Sequence, residues 1–413
     1  MDKPSGLVTM HASTAPGGLS PRWFRGSEGN THVPTRKLFM AAAAVSSVVL
    51  AAGCSSSSSG GSSGGSSSSS TNASTATSAA AFGGMSGLVA ACKKEGTLNV
   101  ITLPANWANY GTIMKDFTAK YGVKINDANP DGSSQDEINA MQQLKGQSRA
   151  PDVLDMGTSF AIKADQLGLL APYKVATYSA IPANSKASDA SWYDDYGGYV
   201  AIGYDSAKVK VPPTSFADLL KPIYKNQVAI NGNPTQASAA FSAVYASALA
   251  NGGSLSNIEP GIQYFKKLHQ AGNFVPVTAG PTTVQSGQTP IVVWWDYLLA
   301  SEIQSAVPTF KIVIPTDAHY AAYYSQAISK TAPNPACARL WEEYLYSVTG
   351  QNLWLQGKAR PIELQTLISN GTVDKAANAA LPAAPAGGLN FPSQAQESAA
   401  EAKVAQQWSS VIG

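Results

Sequence analysis

The sequence is poor in charge. Only 13% of its 413 residues are Asp, Glu, Lys or Arg, and the formal net charge is +2. Binding to a nucleic-acid backbone depends on clustered positive charge. We therefore expect no nucleic-acid partner.

The residues and motifs that usually carry catalysis are also scarce. The sequence contains no glycine-rich dinucleotide or phosphate motif, no Cys-x-x-Cys and no His-Glu-x-x-His. Beyond the N-terminal region the only histidines are His269 and His319, so a Ser/His/Asp triad would need one of them. His269 lies in a Lys-rich segment typical of a solvated helix. We predict a protein that is not an enzyme and uses no cofactor and no metal, with a secreted, lipid-anchored hydrolase as the alternative.

No apolar run is long enough to be a confident membrane span, but one has the form of an export signal. The basic pair Arg36-Lys37 precedes an apolar run from Leu38 to Ala52, and Cys54 follows after one glycine. This resembles a bacterial lipoprotein signal, although Leu50 is one position further from the cysteine than is usual. We predict an N-terminal extension and signal peptide over residues 1–54, with lipidation of Cys54.

Residues 55–84 are dominated by Ser, Gly, Thr and Ala, a composition typical of a flexible tether. The chain would then be exported and held by lipid at the outer face of the cytoplasmic membrane or in the periplasm. Outside the cytoplasm the two remaining cysteines, Cys92 and Cys337, could form a disulfide. Two separate buried thiols are equally compatible with the sequence.

Downstream of the tether, short apolar runs alternate with amphipathic segments. Predicted strands are Leu98–Leu103, Val123–Ile125 and Pro151–Met156; predicted helices are Ile113–Tyr121, Asp136–Leu144 and Ala161–Leu167. This β-α-β-α order predicts an α/β fold built on a parallel sheet with helices on both faces.

A second feature lies between Thr289 and Ser301. A short apolar run, Ile291–Val293, predicts a buried strand, and Trp294, Trp295, Asp296 and Tyr297 follow it directly. Open α/β sheets bind ligands beyond the carboxyl ends of their strands, where aromatic rings can cover a small molecule and a carboxylate can recognise its charge. The alternative is that the Trp pair belongs to the core and Asp296 caps a helix. We favour a site, because a buried indole still needs a partner for its N–H.

The run from Gly96 to Tyr173 resembles the first lobe of bacterial ABC-transporter substrate-binding proteins, through EGTLNVIT, APDVLDMGTSF and ADQLGLLAPY. A later run, from Ser329 to Gln351, is similar to the same family. The nearest branch is the one that includes polyamine, ferric-iron, thiamine and aminoethylphosphonate binders. The resemblance implies a two-lobed periplasmic-binding-protein fold, type II-like, whose ligand cleft lies between the lobes and closes about a hinge.

The resemblance also implies where the chain passes between the lobes. Trp192–Tyr204 is the expected first crossing and Phe310–Pro315 the expected return. Lobe 1 would comprise 85–200 and 311–340, and lobe 2 would comprise 201–310 and 341–413.

In such a fold, strand ends and loops that carry aromatic side chains face the cleft. The ligand-binding residues implied by the resemblance are Asn106, Trp107, Tyr110, Ser159, Trp192, Tyr193, Trp294, Trp295, Asp296, Tyr297, Tyr323 and Tyr324.

The implied function is that of a monomeric extracytoplasmic receptor, which captures a small polar organic solute and delivers it to an ABC permease and its ATPase. The Trp faces favour a solute that carries an amine. Bare ferric iron is not expected, because Trp294-Trp295 occupies the place of the iron binders' Tyr-Tyr pair. Tyr324 replaces an acid of the polyamine binders. Polyamine and ferric iron remain the alternative ligands.

Overall fold

The structure of the chain is a computed structural model that describes residues 72–383, 385 and 390–412. The predicted signal, the predicted lipidation site Cys54 and the tether as far as residue 71 lie outside the described residues. Within the described part, no helix has the length and apolar character needed to span a membrane.

Helices and strands alternate along most of the described chain. The α-helices are α1 (Met85–Glu95), α2 (Tyr110–Tyr121), α3 (Ser134–Gln143), α4 (Thr158–Gln166), α5 (Phe216–Leu219), α6 (Ser238–Ala250), α7 (Glu259–Gln270), α8 (Pro281–Ser286), α9 (Asp296–Leu298), α10 (Gln304–Ala306), α11 (Pro335–Leu345), α12 (Val348–Gln356), α13 (Leu364–Ser369), α14 (Lys375–Ala379), α15 (Gln394–Gln407) and α16 (Ser409–Ile412). The strands are β1 (Thr97–Ile101), β2 (Lys124–Ala128), β3 (Val153–Gly157), β4 (Leu170–Ala171), β5 (Trp192–Asp205), β6 (Val228–Ile230), β7 (Phe274–Thr278), β8 (Ile291–Trp295), β9 (Phe310–Val313), β10 (Ala321–Ser329) and β11 (Arg360–Pro361).

Local signals in the sequence set several of these boundaries. Gly96 ends α1 in the left-handed conformation, with φ of 74°, which glycine adopts without steric cost. Ser133 caps α3, and the reciprocal bond of the capping box comes from Asp136. Glu137 is thereby left to point into the protein.

One long strand, β5, connects the two lobes. All 14 of its residues are buried. Its first half, Trp192–Tyr199, pairs antiparallel with β10, whereas Val200–Tyr204 pairs antiparallel with β8. The order of the continuous sheet is β3-β10-β5-β8-β6-β7, so β3 and β10 form the lobe 1 side and β8, β6 and β7 form the lobe 2 side. The predicted first crossing is therefore confirmed.

The sheets are mixed rather than purely parallel. β1 pairs parallel with β2, and β6 pairs parallel with both β7 and β8, as the β-α-β pattern predicted. β3 instead pairs antiparallel with β10, a strand more than 150 positions later in the chain. That partner could not be read from the local pattern around β3.

The return to lobe 1 comes later than predicted. β9 pairs with Ile202–Asp205 and so remains in the lobe 2 sheet, and the chain rejoins lobe 1 only at β10. Residues 335–361 contact lobe 1 through α11, α12 and β11, which pairs with Tyr196 and Gly197. These contacts support a revised division, and we propose that lobe 1 continues to Pro361 instead of ending at residue 340.

A disulfide joins α1 to α11. Cys92 and Cys337 are bonded across a sequence separation of 245 residues. Of the two alternatives that the sequence left open, the structure contains the bridge. Disulfides persist mainly in oxidising compartments, which agrees with export.

The folded body begins before Met85. The buried guanidinium of Arg339 donates through Nε to the carbonyl of Ala76 at 2.7 Å and through Nη2 to the carbonyl of Ser74 at 3.0 Å. The last residues of the segment predicted as tether are therefore fixed to lobe 1.

The C-terminal helices contact both lobes. On lobe 1, α15 packs against α4, where Glu401 and Lys163 are 3.4 Å apart. On lobe 2, the ring of Trp408 meets Phe265 at 5.5 Å and Phe274 at 6.5 Å between centroids. Ser393 is the N-cap of α15, and its hydroxyl accepts from the backbone N–H of Gln396.

Candidate ligand-binding cleft

A cavity of about 390 Å³ lies between the lobes. Lobe 1 contributes the loop after β1, the start of α3 and Asp155 near the end of β3. Lobe 2 contributes the starts of α6 and α8 and Trp294 near the end of β8. The volume falls within the range of about 300–1,000 Å³ that is usual for small-molecule sites.

The lobes touch at the edge of this cavity. The backbone N–H of Gln135 in lobe 1 donates to the carbonyl of Gln236 in lobe 2 at 3.2 Å. Gly157, at the end of β3, packs so tightly on Ser238 that an added Cβ would lie 1.8 Å from the Ser238 Oγ. The lobes are therefore in direct contact at this edge, and glycine at 157 permits the contact.

Three aromatic rings form one wall. Trp107 meets Trp294 edge-on, with centroids 5.9 Å apart and planes at 61°, and meets Tyr324 at 5.5 Å and 77°. The indole N–H of Trp107 donates to the Tyr196 hydroxyl at 2.7 Å. The indole N–H of Trp294, a residue only 2% exposed, has no partner among the described residues. A buried N–H of this kind is expected to find an acceptor, which here can be supplied by a ligand.

Asp155 is the central acid of the cleft. Its Oδ2 accepts from the Tyr196 hydroxyl at 2.7 Å, whereas its Oδ1 has no partner among the described residues. Burial raises the pKa of Asp155 to about 7, and the hydrogen bond from Tyr196 opposes that rise. Tyr196 thus links Trp107 and Asp155, and the other carboxylate oxygen of Asp155 keeps unused hydrogen-bonding capacity.

Further acids line the same cavity as Asp155. Glu137 Oε2 accepts from the backbone N–H of Asp155 at 2.9 Å, and burial together with the charge of Asp155 raises its pKa well above the usual range. Burial, with a contribution from Asp131, raises the pKa of Glu302 to about 7. The described residues lining the cavity include these four acids but neither Lys nor Arg. The cleft therefore favours a ligand with positive charge.

The start of α6 offers the opposite polarity. Its N-cap, Ala237, has no side chain that could accept from the first-turn N–H groups, and Ala237, Ser238 and Ala239 line the cavity. Free N–H groups at a helix start attract negative or electron-rich groups. Asp155 and the start of α6 can thus hold the two polar ends of one small molecule.

The structure brings four of the twelve predicted ligand-binding residues to the cavity lining. These four are Asn106, Trp107, Trp294 and Tyr324.

Seven others are buried in the interior and do not line the cavity. They are Tyr110, Ser159, Trp192, Tyr193, Trp295, Asp296 and Tyr297.

Their contacts explain the placement. The Tyr110 hydroxyl accepts from Gln326 Nε2 at 2.9 Å, and its ring meets Trp354. The Tyr193 hydroxyl bonds to Glu342. Successive side chains of a strand point to opposite faces, so Trp294 lines the cavity whereas Trp295 turns inward and stacks on Tyr297.

Asp296 was predicted to recognise the ligand's charge, with helix capping as the alternative, and the structure gives it neither position. Its Oδ2 accepts from Arg360 Nη1 at 2.8 Å, and its Oδ1 accepts from the backbone N–H of Tyr199 at 2.8 Å. The Arg360 guanidinium also lies 3.7 Å from the Tyr199 ring centroid. Trp295, not Asp296, is the N-cap of α9. Asp296 is one half of a buried ion pair.

Four acids of the cavity lining were not predicted from the sequence, namely Asp131, Glu137, Asp155 and Glu302, and neither was Tyr196, which donates to Asp155. Asp155 had one usable signal, because an acid inside a fully apolar strand is costly unless it is partnered. Tyr323, the twelfth predicted residue, lines a different cavity on the other face of β10.

The sequence of this chain also matches a protein family. The model of the family described as bacterial extracellular solute-binding protein matches residues 148–385. This chain belongs to that family. The match includes β5, both sheet halves and the cleft residues Asp155, Trp294 and Tyr324. A family of solute-binding proteins gives no support to the hydrolase alternative.

Solved structures share the fold. The periplasmic binding protein AfuA from Actinobacillus pleuropneumoniae, with fructose-6-phosphate bound, aligns at a TM-score of 0.61 and 20% identity, covering 76% of this chain and 98% of that one. A periplasmic thiamin binding protein aligns at 0.59 and 18%, covering 77% and 96%. Iron-bound HitA from Pseudomonas aeruginosa aligns at 0.58 and 18%, covering 76% and 99%. The two-lobed α/β fold predicted from the sequence is thus confirmed.

Proposed function

We propose that this solute-binding protein is the extracytoplasmic receptor of an ABC importer, and that its cleft closes on a small organic solute carrying a protonated amine. One observation carries the choice of ligand. Asp155, whose Oδ1 is unpartnered, and Trp294, whose N–H is unpartnered, line a cavity whose described lining has acids but no Lys or Arg.

The roles of the cleft residues follow from their contacts. Asp155 accepts from the ammonium group, and the faces of Trp107 and Trp294 attract the same charge through cation–π contact. The N–H of Trp294 and the start of α6 receive an acceptor at the other end of the solute, such as a hydroxyl, carboxylate or phosphonate. Asn106 and Tyr324 shape the remaining wall.

The alternative ligands fit less well. Ferric iron prefers several anionic oxygen ligands, but Tyr324 is the only tyrosine lining the described cavity, and no group of three or more His, Cys, Asp or Glu in the described residues could hold a metal ion. A polyamine remains compatible with the acids. The start of α6 favours a solute with one cationic end over one with two.

The cellular setting extends the proposal. A lipid on Cys54 would anchor the receptor, residues 55–71 would be the tether, and a permease with its ATPase would accept the solute. The Cys92–Cys337 disulfide supports the extracytoplasmic location. We expect the receptor to act as a monomer.

Calorimetry against aminoethylphosphonate, thiamine, putrescine, spermidine, ferric citrate and neutral sugars tests the ligand class. The amine-bearing compounds should bind best. Asp155→Asn should weaken the best of them roughly 10- to 100-fold, because a charged hydrogen bond contributes about 1.5–3 kcal/mol. Asp165→Asn, which removes the same charge from α4 outside the cavity, is the matched control. Tightest binding of a neutral sugar, or a coloured iron complex that survives Asp155→Asn, would contradict the proposal.

A further inference from the structure

A second cavity lies on the other face of β10 from the cleft. Its volume is about 260 Å³, and we call it the rear cavity; its wall includes Thr158, Ser185, Asp194, Tyr323, Phe391 and Glu397. Because neighbouring residues of a strand point to opposite faces, Tyr324 lines the cleft while Tyr323 lines the rear cavity. The first turn of α15 closes one side of the space.

The rear cavity contains a buried carboxyl group with unused bonding capacity. Glu397, in the first turn of α15, is only 5% exposed, and its Oε2 has no hydrogen-bond partner among the described residues. Burying an acid without a partner is costly. Burial and the nearby Asp194 raise the pKa of Glu397 well above the usual range.

A second acid lies in the same wall, but it is held in place. Asp194 Oδ1 accepts from the Ser325 hydroxyl at 2.7 Å and from the Thr158 hydroxyl at 2.9 Å. Asp194 is therefore oriented by lobe 1, while Glu397 comes from the C-terminal helix. The described lining of the rear cavity contains neither Lys nor Arg that could neutralise the two.

Aromatic faces complete the site. Tyr323 and Phe391 stack with ring centroids 5.9 Å apart and planes 17° from parallel. Together the rings and acids match a cation that also donates hydrogen bonds. The volume is below the usual range of about 300–1,000 Å³ for ligand pockets, so the ligand must be small.

A neighbouring space shares Tyr323 and Phe391 and leads to Arg360. The guanidinium there is already paired with Asp296 and donates from Nη2 to the carbonyl of Pro382 at 3.0 Å. The positive charge of Arg360 disfavours a cationic ligand in that space, so such a ligand is expected in the rear cavity, next to Glu397.

We propose that the rear cavity is a second binding site, separate from the cleft, and that its ligand is a small primary ammonium compound held by Glu397 and Asp194 against Tyr323 and Phe391. Occupancy ties the first turn of α15 to lobe 1.

The test is hydrogen exchange on the full chain, with propylammonium chloride as the probe and n-propanol as its neutral counterpart. Propylammonium should slow exchange in the peptide that spans Phe391–Glu397, and n-propanol should not. The same protection should appear in Trp294→Ala, in which the cleft is altered and the rear cavity is intact.

Two variants address the site itself. Glu397→Gln should require a roughly tenfold or higher propylammonium concentration for the same protection, as expected for loss of a charged hydrogen bond. Phe391→Ala should also weaken propylammonium binding. Because the Phe391 ring is partly exposed, this variant should keep its fold, and it replaces Glu397→Gln as the test if that variant does not fold. The proposal is overturned if the wild-type peptide is not protected, if n-propanol protects it equally, if Trp294→Ala abolishes the protection, or if a folded variant binds like the wild type.

Discussion

At the scale of single residues, two aspartates at strand ends show what a sequence pattern can and cannot reveal. Asp296 follows two tryptophans and resembles a ligand-binding acid, yet Arg360, 64 positions later, neutralises it. Asp155 lies inside an apolar strand, where the cost of burying an acid is its one local signal, yet it lines the cleft and has an unpartnered Oδ1. The chemical role of each carboxylate depends on partners that are distant in sequence.

The first prediction concerns Asp296. Asp296→Asn should lower the free energy of unfolding by about 3 kcal/mol, because removing one partner of a buried ion pair leaves the other charge uncompensated. Affinity for the best cleft ligand should not change. Urea unfolding and calorimetry measure the two quantities, and the double variant Asp296→Leu/Arg360→Met should recover much of the loss. A large fall in affinity with unchanged stability would restore Asp296 as a ligand-binding residue.

The second prediction concerns pH. Burial raises the pKa of Asp155 to about 7, so below that pH the carboxyl holds a proton that an ammonium ligand must displace. Affinity for the amine should therefore rise with pH and level off above about pH 7, changing by up to roughly tenfold per unit on the acidic side. Calorimetry at several pH values should show this slope. Asp155→Asn should reduce it to the smaller pH dependence that Glu302 contributes. An affinity that falls as pH rises would contradict the assignment.

At the scale of elements, the sequence analysis succeeds where the signal is local. The end of α1 at Gly96 and the N-caps of α3 at Ser133 and of α15 at Ser393 are set by nearby residues, whereas the first crossing over β5 was implied by the family resemblance. It fails for the return crossing, because only strand pairing places β9 in the lobe 2 sheet. It finds Trp107 and Trp294 by composition but cannot tell that Trp295 turns inward.

The contact between the end of β3 and the start of α6 yields a prediction about closure. In Gly157→Ala the new Cβ would lie 1.8 Å from the Ser238 Oγ, so the lobes should be held apart. We expect weaker ligand affinity and a larger radius of gyration in solution scattering with ligand present. Ser238→Gly in the same chain removes the obstructing side chain and should restore compaction. Normal compaction of Gly157→Ala alone would show that closure does not use this contact.

At the scale of the whole molecule, lobe 1 is assembled from segments that are far apart in sequence. Its early helices come from residues 85–166, one of its sheet strands is β10, and α11 and α12 complete it. Arg339 adds the segment around Ala76. Such a lobe depends on contacts between residues that are distant in sequence. Bringing these residues together costs more chain entropy than closing short loops. A covalent link between α1 and α11 fixes the arrangement across a separation of 245 residues.

The Cys92–Cys337 bridge should therefore contribute to stability more than to binding. Removing a native disulfide costs about 2–5 kcal/mol in small secreted domains, mainly because the unfolded chain gains freedom. Cys92→Ala/Cys337→Ala should lower the midpoint of urea unfolding and leave cleft affinity unchanged, since neither cysteine lines the cavity. The wild type in reducing buffer should unfold like the double variant, and the double variant itself should not respond to the reductant. Equal stability of oxidised and reduced wild type would mean that α1 and α11 are held by packing alone, with Leu88, Trp341 and their neighbours sufficient to close lobe 1.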